Sequence, residues 1–114
     1  MGECIFCKIV NKEIPVQAVY EDQDVLAFND IAPQAPVHIL VIPKKHITSA
    51  AEIEEGEFAL IASIFKVIQQ IAVEKNISQD GYRVVNNCRE MGGQTVGHLH
   101  FHLLGGRQMQ WPPG

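Results

Sequence analysis

Three histidines occupy alternate positions near the C-terminus, in His98-Leu99-His100-Phe101-His102-Leu103-Leu104. An extended chain turns successive side chains to opposite faces, so residues two apart share one. A strand over 98–104 therefore sets the imidazoles side by side, roughly 6–7 Å apart. It turns Leu99, Phe101 and Leu103 the other way. That separation suits a phosphate contacted by more than one ring. Imidazole titrates near neutrality and serves as base, acid, nucleophile or metal ligand. Gly92-Gly93-Gln94-Thr95-Val96-Gly97 leads straight into the histidines. Glycines let backbone amides approach phosphate oxygens closely, and Gln94 and Thr95 add polar donors. A glycine pair alone is more often a plain turn. Beside His98, His100 and His102 it marks the candidate catalytic centre.

Two further groups carry chemistry. His38 sits in an apolar run, where a lone histidine is more often a core or surface residue. Asp30 precedes the loop Ala32-Pro33-Gln34-Ala35-Pro36 and is suited either to a ribose diol or to capping a turn. Cys4-Ile5-Phe6-Cys7 has the spacing of a zinc half-site. There is no second CxxC, so two more ligands must come from elsewhere, and His46 and His98 are available. A redox pair is the rival, although such pairs usually open a long helix after a strand. Burial of both thiols is the third reading. Structural zinc is the one adopted, and Cys88 receives no role.

These residues must be positioned by a small α+β fold. Val16 to Glu21 and Val25 to Asn29 read as strands joined by the polar turn Glu21-Asp22-Gln23-Asp24. Val37 to Ile42 is the clearest strand by β-branched content, closed by Pro43. Tyr82 to Asn86 and His98 to Leu104 complete a five-stranded, mostly antiparallel sheet. Cys4 to Val10 forms a short helical turn, and Thr48 or Ser49 caps a brief helix through Glu52. Glu57 to about Glu74 is the long helix. Phe58, Ile61, Phe65, Ile68 and Ala72 make one apolar stripe, and Leu60, Ile64, Val67 and Ile71 a second. A helix on one side of a sheet needs a single stripe. The surplus points to a partner subunit, with other parts of the same chain as the alternative cover.

Length and composition bound the rest. At 114 residues the expectation is one domain. With 46% hydrophobic residues there is ample material for a core. The net charge of −4 argues against a basic stripe for nucleic acid, while a single phosphate ligand stays compatible. No apolar run is read as reaching bilayer length. Met1-Gly2-Glu3-Cys4 lacks the basic and apolar regions of a signal peptide. The expectation is a cytoplasmic protein with reduced thiols and no membrane partner.

The chain resembles the histidine triad (HIT) family, whose signature alternates three histidines with apolar residues and ends in two apolar ones. His98-Leu-His100-Phe-His102-Leu-Leu matches it throughout. Ile5-Phe6-x-Lys8-Ile9, Phe28-x-Asp30-Ile31, Pro33-Gln34-Ala35-Pro36 with His38, and Val41-Ile42-Pro43-Lys44-Lys45-His46 resemble its Hint branch. So do Gly92-Gly93-Gln94-Thr95 and the tail from Leu104 through Trp111 to Gly114. The resemblance implies a single HIT domain over 1–114 and a homodimer joining two sheets into one of ten strands. It implies hydrolysis of the P–N bond of purine nucleoside 5′-phosphoramidates, without a catalytic cofactor. His100 would attack phosphorus and form a nucleotidyl-histidine that water cleaves to the monophosphate.

By the same resemblance, His102 and His38 hold or polarise the phosphate or its leaving group. Gln94, Thr95 and the Gly93 amide stabilise charge on its oxygens, and Thr95 helps the leaving amine gain a proton. Asp30 binds the ribose hydroxyls and Asn87 lies near phosphate and ribose. Ile5, Phe6, Ile9, Ile14, Phe28, Ile31 and Leu40 line a purine pocket. The tail with Trp111 reaches the partner's site, and Gln110 stands where similar chains often carry histidine. The CxxC branch implies zinc held by Cys4, Cys7, His46 and His98, which makes His98 structural. The rival functions are a dinucleoside polyphosphate hydrolase of the Fhit type, a nucleotide-binding interaction module, and an enzyme with catalytic zinc.

Overall fold

The polar turn after the first strand shows how short sequence signals become geometry. The Asp22 carboxylate accepts from the backbone N–H of Asp24 (2.7 Å) and Val25 (2.8 Å), closing an Asx-type turn between β1 (Ala18–Glu21) and β2 (Val25–Asn29). In this computed structural model, which describes residues 4–114, the chain continues through β3 (Val37–Pro43). Two short 3-10 turns, Ala50–Glu52 and Glu55–Glu57, lead into the long helix. With the short helix Ile5–Val10 as α1, the long one, Phe58–Glu74, is α2. Strands β4 (Tyr82–Asn86) and β5 (Phe101–Gly105) end the fold. The signal-peptide reading involves residues 1–3, outside the described part.

The sheet order is β1-β2-β3-β5-β4, with every pairing antiparallel. The last strand thus inserts between β3 and β4, so His102 lands mid-sheet, with His98 and His100 on the segment that runs into it. Strands β2 and β3 are buried on both faces, hence their continuous apolar runs. Val25, Ala27, Ile39, Val41, Leu99, Phe101 and Leu103 pack against α2. Leu26, Phe28, Leu40 and Ile42 face the other way and pack against Phe6 and Ile9 of α1. One face carries the long helix; the opposite face holds the short helix and the imidazoles.

Several local expectations are corrected. The strand predicted from His98 begins at Phe101. Upstream, the Leu99 N–H bonds the Ile47 carbonyl at 2.6 Å, so residues 98–100 follow the segment after β3 rather than the ladder. Alternation survives the departure, because Leu99 still enters the helix-side core. The first strand starts at Ala18 rather than Val16, and its pairing shifts register between Ala18 and Tyr20. Ser49 precedes the Ala50–Glu52 turn but donates to the Glu52 carboxylate (3.1 Å) instead of capping the backbone.

A capping box of Glu54 with Glu57 opens the 3-10 turn that leads into α2, and beyond the C-cap Lys75 the chain leaves the helical region at Asn76, with φ of 60°. Its second stripe is the buried one: Ile64, Val67 and Ile71 are covered together with Ile68 and Ala72. Phe58 and Phe65 of the first stripe remain 53% and 46% exposed. The reason is rotation about the helix axis: the sheet takes the stripe centred between Ile64 and Ile71. Contrary to the sequence expectation, Glu55–Glu74 is long and apolar enough for a bilayer span, at mean hydropathy 1.4. That apolarity combines the residues packed on the sheet with the exposed Phe58, Phe65 and Val73. Ile64→Ala should lower unfolding stability by about 2–5 kcal/mol, because a fully buried aliphatic leaves a cavity; urea denaturation checks this.

Candidate active site and metal centre

Backbone carbonyls decide which imidazole nitrogen carries a proton. A carbonyl oxygen only accepts, so a ring nitrogen bonded to it must be N–H. His100 Nδ1 lies 2.8 Å from the His98 carbonyl. Its Nδ1 therefore donates, and in the neutral ring the lone pair sits on Nε2. His100 is buried, with the edge of Phe6 at 5.2 Å between ring centroids. Among the imidazoles it is the one held as a base or nucleophile at Nε2.

His102 and His38 form a relay beside it. The Gln34 backbone N–H donates to His38 Nδ1 at 3.0 Å, which leaves the proton of neutral His38 on Nε2. That Nε2 lies 2.9 Å from His102 Nδ1 and 3.4 Å from the Asp30 carboxylate. His38 thus donates to His102, and His102 keeps its own proton on Nε2. Burial, with the neighbouring His100 and His38, pushes His102 from the usual 6.5 down to about 4. Burial also lowers His38, opposed by Asp30. At neutral pH both rings are neutral N–H donors. The nitrogens and oxygen of Asp30, His38 and His102 are close enough to hold a metal. The Gln34 bond argues for the relay instead, since a ring accepting at Nδ1 has no free lone pair at Nε2. Asp30 also accepts from the Ala32 N–H (2.8 Å), so it caps its turn while reaching His38.

A cavity of about 710 Å³ opens next to the relay, within the range that encloses small ligands. Its walls include all seven predicted apolar residues: Ile5, Phe6, Ile9, Ile14, Phe28, Ile31 and Leu40. Asp30 lies on its wall, and Phe6 joins it to His100. Ile31, 98% exposed, stands at its edge. Sequence reading missed Pro15, Val16, Gln17 and Asn29, which also line it. The Asn29 amide donates to Gln17 Oε1 at 3.1 Å, a pairing between β2 and the residue before β1 that only the fold creates.

His98 faces a different task. Its Nε2 lies 2.8 Å from the Pro43 carbonyl and so donates, which frees Nδ1. That nitrogen is 3.4 Å from Cys4 Sγ and 3.6 Å from Cys7 Sγ, and Cys7 Sγ is 3.2 Å from His46 Nδ1. The four ligand atoms all lie within 4.8 Å of one another. A tetrahedral zinc with bonds of ~2.3 Å to sulfur and ~2.05 Å to nitrogen spaces its ligands about 3.5 Å apart. The donor set and its spacing fit that ion, and the Pro43 bond orients His98 as metal-bound histidines are oriented. Burial, then Cys4, pushes the Cys7 thiol up to about 11, so a metal would bind with proton release.

The loop residues are distributed less simply. Gly93 has φ +81°, and a Cβ at Gly92 would strike the Cys88 carbonyl, so both positions require glycine. The Gln94 side chain is fully engaged: Oε1 accepts from the Arg89 N–H (2.7 Å), and Nε2 donates to the carbonyls of Thr48 (2.7 Å) and Val96 (2.9 Å). Asn87 donates to the Gly92 carbonyl at 2.8 Å. Both side chains hold the loop's shape. Thr95 lines a separate groove with Cys4, Ile5, His46 and Thr48. Trp111 is 82% exposed and joins none of the cavities described.

Residues 11–109 match the HIT domain family. The chain belongs to that family. An uncharacterized HIT-like protein of Synechococcus elongatus is 51% identical over 112 residues, covering 98% of this chain and 97% of the relative. A HIT family hydrolase from Legionella pneumophila has a solved structure that superimposes with a TM-score of 0.96 at 50% identity, covering 98% of this chain and 100% of that one. A histidine triad protein from Clostridium difficile gives 0.94 at 53% identity, with 96% of each chain covered. In this HIT domain the contacts unseen in sequence are backbone ones: Gln34 N–H, and the carbonyls of Pro43 and His98. No side-chain pattern encodes them.

The depressed His102 sets an acid dependence. Its unfolded form takes a proton near pH 6.5, whereas the folded form resists until about pH 4. The stabilisation is complete above pH 6.5, declines as the pH falls, and is gone below about 4. Melting temperature should therefore fall across that window, and His102→Asn should flatten the fall when the two proteins are compared at matched pH.

Proposed function

We propose that the protein is a purine nucleoside phosphoramidase of the Hint branch, a hydrolase of the P–N bond. The observation that carries the reading is the His100 tautomer: Nδ1–H held by the His98 carbonyl and a lone pair on Nε2, beside neutral donors and an apolar cavity. The base enters the cavity whose wall holds Phe6 and Phe28, with Asp30 reached by the ribose. Nε2 of His100 attacks phosphorus as the P–N bond breaks, and the nitrogen leaves as an amine after taking a proton from solvent, which the Thr95 hydroxyl, in the groove that shares Ile5 with the cavity, would pass on. His102, braced by His38, donates its N–H to a phosphoryl oxygen, and the Gly93 amide region offers further donors. Water then attacks phosphorus, the P–His bond breaks, and a nucleoside monophosphate and one proton leave with His100 restored.

Cys4, Cys7, His46 and His98 would hold a structural zinc, supported by the spacing and by the proton on His98 Nε2. Bound there, the ion supplies a cross-link that ties α1, and with it Phe6, to the histidine segment. The exposed Phe58, Phe65 and Tyr82, on α2 and the edge strand β4, support a homodimer through that face. A cytoplasmic setting accords with a reduced thiol set.

Rapid quench after mixing with an adenosine 5′-phosphoramidate, followed by mass spectrometry, should show a transient nucleotidyl adduct on His100 and monophosphate product. His100→Asn should abolish the adduct and lower kcat by about 10³-fold or more while calorimetry shows nucleotide still bound. Retained turnover would remove His100 from its role. Metal-free protein should take up one zinc per chain and melt higher, and Cys7→Ser should lose both effects. Turnover that stops at once on chelation in folded protein, and returns with zinc, would instead favour metal catalysis.

A further inference from the structure

Asn86 ends β4 opposite Phe101, at the last paired position before the chain departs from the ladder. Strand alternation puts it on the same face as Val84, which packs against the helix-side core. An amide on that side is costly to bury without a partner. Its partner is the His100 carbonyl, which accepts from Asn86 Nδ2 at 2.9 Å in a partly buried bond. The His100 ring lies on the opposite face with Phe6 and His102. Asn86 therefore holds the backbone of the nucleophile from behind, without reaching the substrate side.

We propose that Asn86 is a positioning residue for His100. The histidine sits one residue outside β5, where the strand ladder no longer sets its backbone angle. Where Nε2 points depends on two peptide planes. The His98–Leu99 plane carries the carbonyl that receives the ring, and its Leu99 N–H is tied to Ile47. The His100–Phe101 plane carries the His100 carbonyl, tied to Asn86. With both planes held, the ring meets the His98 carbonyl at 2.8 Å and keeps its proton on Nδ1. Releasing the Asn86 bond lets the second plane rock, which lengthens the ring–carbonyl bond and mixes the tautomers.

The inference rests on the proposed role of His100, and its test separates the two. Asn86→Val removes the donor while suiting the apolar neighbourhood, and Asn86→Asp keeps the shape but replaces the donor with an acceptor. With an adenosine 5′-phosphoramidate, both should lower kcat and the single-turnover rate of adduct formation by about tenfold, the effect of one lost hydrogen bond. KM should stay within about twofold, since the base cavity is untouched. In substrate-free protein, long-range ¹⁵N–¹H NMR should show His100 moving from one Nδ1–H tautomer toward a mixture. Unchanged kcat, or His100 ring signals that superimpose on those of the unsubstituted protein, would overturn the proposal. If no phosphoramidate is cleaved even by the unsubstituted protein, the proposed reaction fails, and the NMR shift alone still decides for or against Asn86.

Discussion

Everything in the site hangs on the two-residue alternation of a segment whose one face is buried beneath the long helix. Leu99, Phe101 and Leu103 enter the core beneath α2, and that burial forbids the segment from sliding by one residue. A slip would drive imidazoles into the apolar core and expose the hydrophobic set. Because β5 lies between β3 and β4, both its edges are also paired. The histidine face is therefore held from the back by packing and from the sides by hydrogen bonds. It can be chemically demanding without being floppy.

Within that frame, one extended segment distinguishes its histidines by giving each ring a different partner. His98 donates to the Pro43 carbonyl and turns Nδ1 to the thiols. His100 donates to the His98 carbonyl and keeps its lone pair on Nε2. His102 accepts from His38, which itself accepts from the Gln34 N–H. The three rings share spacing and chemistry, so their tautomers are what separate a ring with Nδ1 free toward the thiols from one with Nε2 free and from one that donates at Nε2.

The segment just after β3 acts as the structural junction. Pro43 receives the His98 ring, His46 offers a metal ligand, Ile47 receives the Leu99 N–H, and Thr48 receives the Gln94 amide. The short helix that lines the apolar cavity, the glycine loop and the histidine run are thereby referred to one stretch of backbone. Gln94 illustrates the consequence. Its sequence position beside the glycines suggests a phosphate contact, but its amide is engaged by backbone groups on three sides, so its contribution is the loop's shape.

Much of this was legible in the residues themselves. The alternation of His98, His100 and His102, the apolar runs of β2 and β3, the Asp22 turn and the CxxC spacing are short-range patterns, and short-range sterics and burial preferences are what a one-dimensional reading captures. The seven apolar residues of the cavity followed from family likeness, and the fold brings them together. What sequence left open concerned contacts between distant segments. Both stripes of α2 look equally fit to be buried, and only the docking angle on the sheet chose the one with Ile64 and Ile71. The start of β5 at Phe101 was set by the bond from Leu99 to Ile47 across the fold. Nothing local to Asn86, Gln34 or Pro43 announces that each controls an imidazole. The sequence by itself determined which side chains share a face, because alternation is a property of the backbone. The tertiary structure decided which nitrogen of each ring holds its proton, because that depends on carbonyls and amides brought in from elsewhere in the chain.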